Sequence, residues 1–317
     1  MKIAILDDYQ DVVRHLRCFD LLRGHEVKIF NNRAVGVGQL AIRLASFDAL
    51  VLIRERTVIS RALLQKLPRL ALISQTGKVA GHIDLAAAAE RGVVIAEGVG
   101  DATAPAELTW ALIMASSRKI PQYAANLKDG LWQTVSVHAQ KNTLGRVLKG
   151  RRMGIWGYGR IGRLVAGYAR AFGMQVVIWG REESRKKAAQ DGYQPASSVE
   201  DFFSLNDVIS VHLRLNEATT GIITARHLGL MKADALFVNT SRAELLEPAA
   251  LESALDLGRP GFAAVDVFEN EPLPVQHSLL LRENVLATPH LGFVEQDSYE
   301  LYFGAAFQNI LDFSIKQ

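Results

Sequence analysis

The run Gly157-Tyr158-Gly159-Arg160-Ile161-Gly162 places three glycines at a spacing that suits a phosphate group. Glycines so spaced permit a tight turn and a close backbone approach, leaving a pyrophosphate at the positive N-terminus of a helix. Alone the pattern is a weak signal, because glycine is common. Its setting is more specific. An apolar strand, Met153–Trp156, precedes it, and Ile161, Leu164, Val165, Tyr168, Ala169 and Phe172 then recur at helical spacing up to Gly173. A second apolar run, Gln175–Trp179, follows at once. This strand, turn, helix and strand form the unit that holds a dinucleotide, so Gly157, Gly159, Arg160, Ile161 and Gly162 are candidate cofactor-binding residues. An acidic residue at the end of the second strand would accept bonds from the ribose hydroxyls of NAD. Here Gly180 and Arg181 stand instead, with Ser184, Arg185 and Lys186 beyond. A guanidinium is a charge-assisted partner for a 2′-phosphate, so NADP is expected ahead of NAD. Glu182 and Glu183 oppose that cluster, and Arg185–Lys187 also reads as a solvated helix face.

The elements that must position this unit alternate along the chain. Ile3–Leu6, Val27–Phe30, Ala49–Ile53, Ala71–Ser74 and Val93–Ala96 read as short strands. Helical spacing appears over Gln39–Ala45 and Ser60–Leu67, and Asp84 is placed to N-cap a helix Leu85–Arg91 ended by Gly92. A long helical stretch, about Ala104 to Lys128, then connects to a second series of strands: Met153–Trp156, Gln175–Trp179, Val208–His212, Leu236–Thr240, Gly261–Val265 and Val285–Ala287. Such a rhythm predicts parallel sheets covered by helices, and the length of 317 residues predicts two domains.

Three segments downstream of the glycines are Val238-Asn239-Thr240-Ser241-Arg242, Val265-Asp266-Val267-Phe268-Glu269-Asn270-Glu271-Pro272 and Thr288-Pro289-His290-Leu291-Gly292. Together with Asp101-Ala102-Thr103-Ala104, they resemble, in order, the signature blocks of the D-2-hydroxyacid dehydrogenases. The resemblance covers nearly the whole chain. It implies Arg242 as the substrate-binding arginine, His290 as the acid/base and Glu271 as its carboxylate partner. It also implies Thr103, His212, Thr240 and Asp266 near the cofactor, with Ser241 in the same loop as Thr240. The loop from Gly77 to Asp84, with Gly77 and Lys78, is implied to offer donors to the substrate carboxylate, but it departs from the family pattern around His82. Arg54 and Arg56, after the third strand, are further cationic candidates. The implied fold is a Rossmann-type doubly wound cofactor domain, residues 99–288, inserted in a flavodoxin-like α/β substrate domain, residues 1–98 and 289–317. A homodimer is implied as well, and Leu108–Met114 is an apolar stretch that suits either an interface or intrachain core.

The chemistry calls for these residue types independently. Reducing a ketone leaves charge on oxygen, which an imidazolium can neutralise by donating a proton. A neighbouring carboxylate stabilises that imidazolium, and a guanidinium grips a 2-oxo acid carboxylate with paired hydrogen bonds. The expected activity is hydride transfer between NAD(P)H and a small 2-oxo or 2-hydroxy acid. A dinucleotide-sensing regulator of the corepressor type is the alternative. Formate dehydrogenases share the fold but pair the histidine with a glutamine, and Glu271 argues against them. A net charge of +3 gives no reason to expect nucleic acid, and Cys18, the single cysteine, excludes an intrachain disulfide and a cysteine-pair metal site. No run approaches the ~20 apolar residues of a membrane helix, and a cytoplasmic location is expected.

Overall fold

The computed structural model describes residues 1–34, 36–138 and 142–315. The chain falls into two compact units, Met1–Asp101 with the segment from Val294 on, and Ala102–Phe293. The crossings lie a few residues beyond 98 and 289, so His290 belongs to the second unit. Asp266 is the local reason: its carboxylate accepts the Leu291 and Gly292 N–H groups at 2.7 and 2.9 Å, fastening that loop to the second sheet.

The first unit contains β1 (Lys2–Ile5), β2 (Glu26–Ile29), α1 (Gly36–Leu44), β3 (Ala49–Leu52), α2 (Arg61–Leu64), β4 (Leu72–Gln75), α3 (Leu85–Glu90) and β5 (Val94–Ala96). Its strands are parallel in the order β2-β1-β3-β4-β5. β3 and β4 are buried throughout, as parallel strands covered on both faces require. Asp84 caps α3 by accepting the Ala87 N–H at 2.8 Å, and Gly92 follows the helix at φ 67°, a left-handed turn that costs glycine little.

The second unit begins with α4 (Thr103–Arg118) and α5 (Ile120–Lys128). The single helix expected from 104 to 128 is therefore two, separated by Lys119 at φ 54°. Pro121 explains the break, since its ring cannot follow the carbonyl of Ser117 in a continuous helix. That carbonyl instead accepts the Arg146 N–H at 2.7 Å. Then come β6 (Arg152–Trp156), α6 (Arg160–Ala171), β7 (Gln175–Trp179), α7 (Glu182–Gln190), β8 (Gln194–Pro195), α8 (Val199–Leu205), β9 (Val208–Val211), α9 (Ala225–Gly229), β10 (Leu236–Asn239), α10 (Ala250–Asp256), β11 (Phe262–Val265) and β12 (Val285–Ala287). The sheet order is β12-β11-β10-β9-β6-β7-β8, with every pairing parallel. The two-residue edge strand β8 has no counterpart in the sequence reading, because it is too short to show periodicity.

Alternate strand residues feed two cores. Ile155, Ile178 and Val238 pack with Leu112, Ile113 and Val165 on one face, and Trp156, Val177 and Phe237 pack with Phe202 and Phe203 on the other. Leu108, Trp110 and Met114 are partly buried against the first of these cores, so the 108–114 stretch is largely intrachain packing. Truncating a buried phenylalanine such as Phe237 to alanine costs about 3–5 kcal/mol. After the second unit, α11 (Gln296–Ile315) returns to β4, where Ser74 Oγ donates to the Ala306 carbonyl at 2.8 Å. The helix expected over 294–317 thus spans 296–315, and 316–317 lie outside the described residues. Among the described residues, no helix is long and apolar enough to cross a membrane.

Candidate active site

At the carboxyl edge of the second sheet, the β6–α6 turn fits a dinucleotide. Gly157 has φ 103°, and a Cβ there would meet the His212 carbonyl at 2.5 Å. A Cβ on Gly162 would lie 2.1 Å from the Gly157 carbonyl, so only glycine lets helix and turn close together. Gly159 is different, because space beside it is open and α6 starts there with no side-chain cap. A helix start beside open space is where a pyrophosphate can approach the backbone. Arg160 is exposed and Ile161 half-buried at the same helix start.

His212 directly follows β9, next to this turn. Its Nε2 lies 2.9 Å from Ser210 Oγ, its Nδ1 is enclosed with no hydrogen-bond partner among the described residues, and burial pulls its imidazole down to about 4. On the other side of the turn, Gly180 and the exposed Arg181 follow β7. Glu182 is occupied by Lys186 at 2.6 Å, and Arg185 lies over the Trp179 ring, 5.0 Å from its centre.

The loops after β10, β11 and β12 bring Arg242, Glu271 and His290 together. His290 Nδ1 lies 2.8 Å from Glu271 Oε2, while Glu271 Oε1 accepts the Phe268 N–H at 3.0 Å. Burial raises the Glu271 carboxyl, but the His290 bond and charge, the Phe268 N–H and the Arg242 guanidinium outweigh it and hold the group below the usual glutamate range. With Nδ1 so engaged, Nε2 of His290 has no hydrogen-bond partner among the described residues. His290 adopts φ 54°, a left-handed conformation that costs a side-chain-bearing residue energy. Asp266 holds it there: fully buried, it accepts Thr288 Oγ1 at 2.6 Å as well as the N–H groups of Leu291 and Gly292, which follow the histidine. Burial raises the Asp266 carboxyl against those hydrogen bonds.

Arg242 is extended, and its Nη1 donates to the Ser241 carbonyl at 2.6 Å. Two residues unassigned in the sequence reading set this loop. Asn239 spans it, donating to the Arg242 carbonyl at 2.8 Å and accepting the Ser241 N–H at 3.0 Å. Thr109 of α4 lies 2.7 Å from Thr240, Oγ1 to Oγ1, so Thr240 is tied to that helix. Asn239 stood inside a recognised block, whereas nothing local in the sequence marks Thr109. Thr103 is exposed at the start of α4. Among the described residues, no cluster of His, Cys, Asp and Glu could hold a metal ion.

In the first unit, the Arg54 guanidinium lies directly against Gly77, where a Cβ would fall 2.2 Å from Nη1. Lys78 is exposed and paired with Glu97 at 2.7 Å, whose other oxygen accepts the Val79 N–H. Arg56 donates to the Asp7 carbonyl at 2.7 Å and covers the Tyr9 ring, and His82 is buried.

Comparison with known proteins is consistent across the chain. Residues 110–292 match the family described as D-isomer specific 2-hydroxyacid dehydrogenase, NAD binding domain. A glyoxylate reductase of Aeropyrum pernix is 34% identical over 80% of this chain and 76% of its own length. A D-3-phosphoglycerate dehydrogenase of Methanocaldococcus jannaschii is also 34% identical over 80% of this chain, which spans only 47% of that relative. The crystal structure of a phosphoglycerate oxidoreductase from Vibrio cholerae o395 superposes with a TM-score of 0.96 at 52% identity, covering 100% of both chains. The chain belongs to the D-isomer specific 2-hydroxyacid dehydrogenase family.

Proposed function

We propose that the protein reduces a small 2-oxo acid to the D-2-hydroxy acid with a nicotinamide dinucleotide, NADPH for preference. The observation that carries this reading is the 2.8 Å contact between His290 Nδ1 and Glu271, which leaves Nε2 for a substrate oxygen. A dinucleotide held at the Gly157–Gly162 turn supplies the hydride. Arg242 binds the substrate carboxylate and polarises the neighbouring carbonyl. His290 donates a proton from Nε2 to the developing alkoxide, and Glu271 orients the ring and stabilises its charged form. Asp266, Thr240, Thr103 and His212 support the cofactor side, Asp266 chiefly by fixing the histidine loop. The sequence and the family resemblance assign Arg54, Gly77 and Lys78 of the first unit to substrate binding, and with its ammonium paired to Glu97, Lys78 would act through its backbone.

NADPH is favoured because Gly180 offers no carboxylate to a ribose, Arg181 is exposed beside it, and Glu182 is already engaged by Lys186. Homodimerisation is favoured by α5, which buries none of its side chains, and by the exposed Ile120, Leu127 and Trp132. Sedimentation of Trp132→Glu as a monomer, against a dimeric parent, checks that point. The function is tested by initial rates with NADPH and NADH over a panel of 2-oxo acids, beginning with glyoxylate and hydroxypyruvate, with chiral analysis of the product. Absence of turnover while the dinucleotide still binds would replace the enzyme with a dinucleotide sensor.

A further inference from the structure

The amino edge of the second sheet holds a pocket that the reaction does not use. It is a cavity of about 40 Å³, partly open to solvent, where α4 ends and β9, β10 and β11 begin. Its apolar floor includes Leu148, Val208, Leu236 and Phe262, and its charged lining is Lys119, Arg146, Arg151, Asp207 and Asp234. Both carboxylates are engaged. Asp207 binds Lys232 at 2.8 Å, lies 4.0 Å from Arg151 and accepts the Arg152 N–H, while Asp234 binds Arg146 at 2.9 Å.

Lys119 is the exception. Only 8% exposed, it has no carboxylate partner among the described residues; its Nζ donates to Thr143 Oγ1 and sits 5.3 Å from the centre of the Phe262 ring. Burial and the nearby Arg146 hold its ammonium below the usual lysine range. Ser116 also lines the pocket, and its enclosed hydroxyl has no hydrogen-bond partner among the described residues. Among the described residues, a buried cation with no counter-ion, a hydroxyl with no partner and a guanidinium whose polar contacts run through Nη1 alone line one space. We propose that this pocket binds a small oxyanion, a phosphate or a compact carboxylate, between Lys119, Arg146 and Ser116.

An oxyanion there would supply the missing negative charge and accept hydrogen bonds from the Lys119 ammonium, the Arg146 guanidinium and the Ser116 hydroxyl. It would also join the α4–α5 break to the starts of β9, β10 and β11. The site stands apart from the glycine turn and His290, which lie at the opposite strand ends.

Thermal unfolding of the parent and Lys119→Met, in anion-poor buffer and with added inorganic phosphate or malonate, tests the proposal. The Met side chain keeps the length of the stem without the charge. Anions that reach the carboxyl edge affect both proteins alike, so the difference between them reads this pocket. The expected result is a Tm for Lys119→Met at or above that of the parent in anion-poor buffer, and an anion-dependent rise of about 2 °C in the parent that Lys119→Met loses. The arm that produces the rise identifies the oxyanion. The same rise in both proteins, or none in either arm, overturns the proposal. Site-resolved acetylation of the parent provides a readout without substitution: the effective anion should slow labelling of Lys119 about fivefold and leave exposed Lys186 unchanged. Equal labelling of Lys119 with and without anion overturns it.

Discussion

The two edges of the seven-stranded sheet treat charge in opposite ways. At the carboxyl edge, Glu271 is bonded on both oxygens and Asp266 receives three hydrogen bonds, so one imidazole nitrogen is left open at a defined place. At the amino edge, Asp207 and Asp234 are satisfied while Lys119 is buried without a counter-charge among the described residues. Chemistry requires a single unspent donor held rigidly, whereas an uncompensated cation costs stability until something binds it. Substitutions at the first edge should therefore change turnover more than Tm, and those at the second should do the reverse.

The largest effect is expected for His290→Gln: turnover falls by ~10²-fold or more, with dinucleotide affinity nearly unchanged in a fluorescence titration. Near-parental turnover would remove His290 from the chemistry. Arg242→Lys should lose about 10–100-fold in kcat/KM, mainly through KM, because an ammonium cannot reproduce the paired guanidinium bonds. If efficiency is retained, the carboxylate is bound elsewhere, with Arg54 the first residue to examine. Arg181→Ala should reduce the NADPH/NADH ratio of kcat/KM about tenfold; a parent that prefers NADH, or a ratio that does not move, defeats the cofactor assignment.

Two pH measurements sharpen the contrast between the edges. The depressed Glu271 carboxyl is ionised throughout the neutral range, so the stability it contributes is complete above about 4.5 and is lost as pH falls through its folded value. In Glu271→Gln that acid loss of stability should shrink in denaturant titrations, and an unchanged slope breaks the pairing. His212 should affect stability although it stands at the carboxyl edge. Its folded value of about 4 lies below the ordinary 6.5, so the unfolded chain takes up the proton first and stability declines as pH falls from 6.5 towards 4. His212→Asn should flatten that decline in denaturant titrations, and the same slope in both proteins would show that its imidazole is not kept neutral by burial.

Much of this organisation was legible locally. Apolar runs bounded by turn residues gave the strands, and the glycines between Met153–Trp156 and Gln175–Trp179 marked the dinucleotide turn, because tight turns and buried parallel strands depend on near neighbours. The break at Lys119 does not show in the sequence pattern, because the apolar spacing runs on through it and Pro121, one residue inside the second helix, is a position a helix start tolerates. The sequence places Asp266 near the cofactor, but its hold on Thr288, Leu291 and Gly292 shows only in the folded loop. Thr109 was invisible for the same reason: its partner Thr240 is 131 residues away. The Lys119 pocket depends on residues scattered from 116 to 262, each an ordinary surface type on its own.

The return of α11 to the first unit also bears on synthesis. Ala102–Phe293 is one uninterrupted segment, so it can close its sheet as soon as it has left the ribosome. The first unit is translated earlier but completed later. The backbone N–H groups of Arg17 and Cys18 wait for Glu300, and Ser74 waits for the carbonyl of Ala306. Until α11 emerges, the face of β4 that it covers has no partner, and the nascent chain carries a finished second unit on an unfinished first one. Truncation before Gln296 should therefore give a soluble, protease-resistant Ala102–Phe293 fragment attached to a readily digested N-terminal segment.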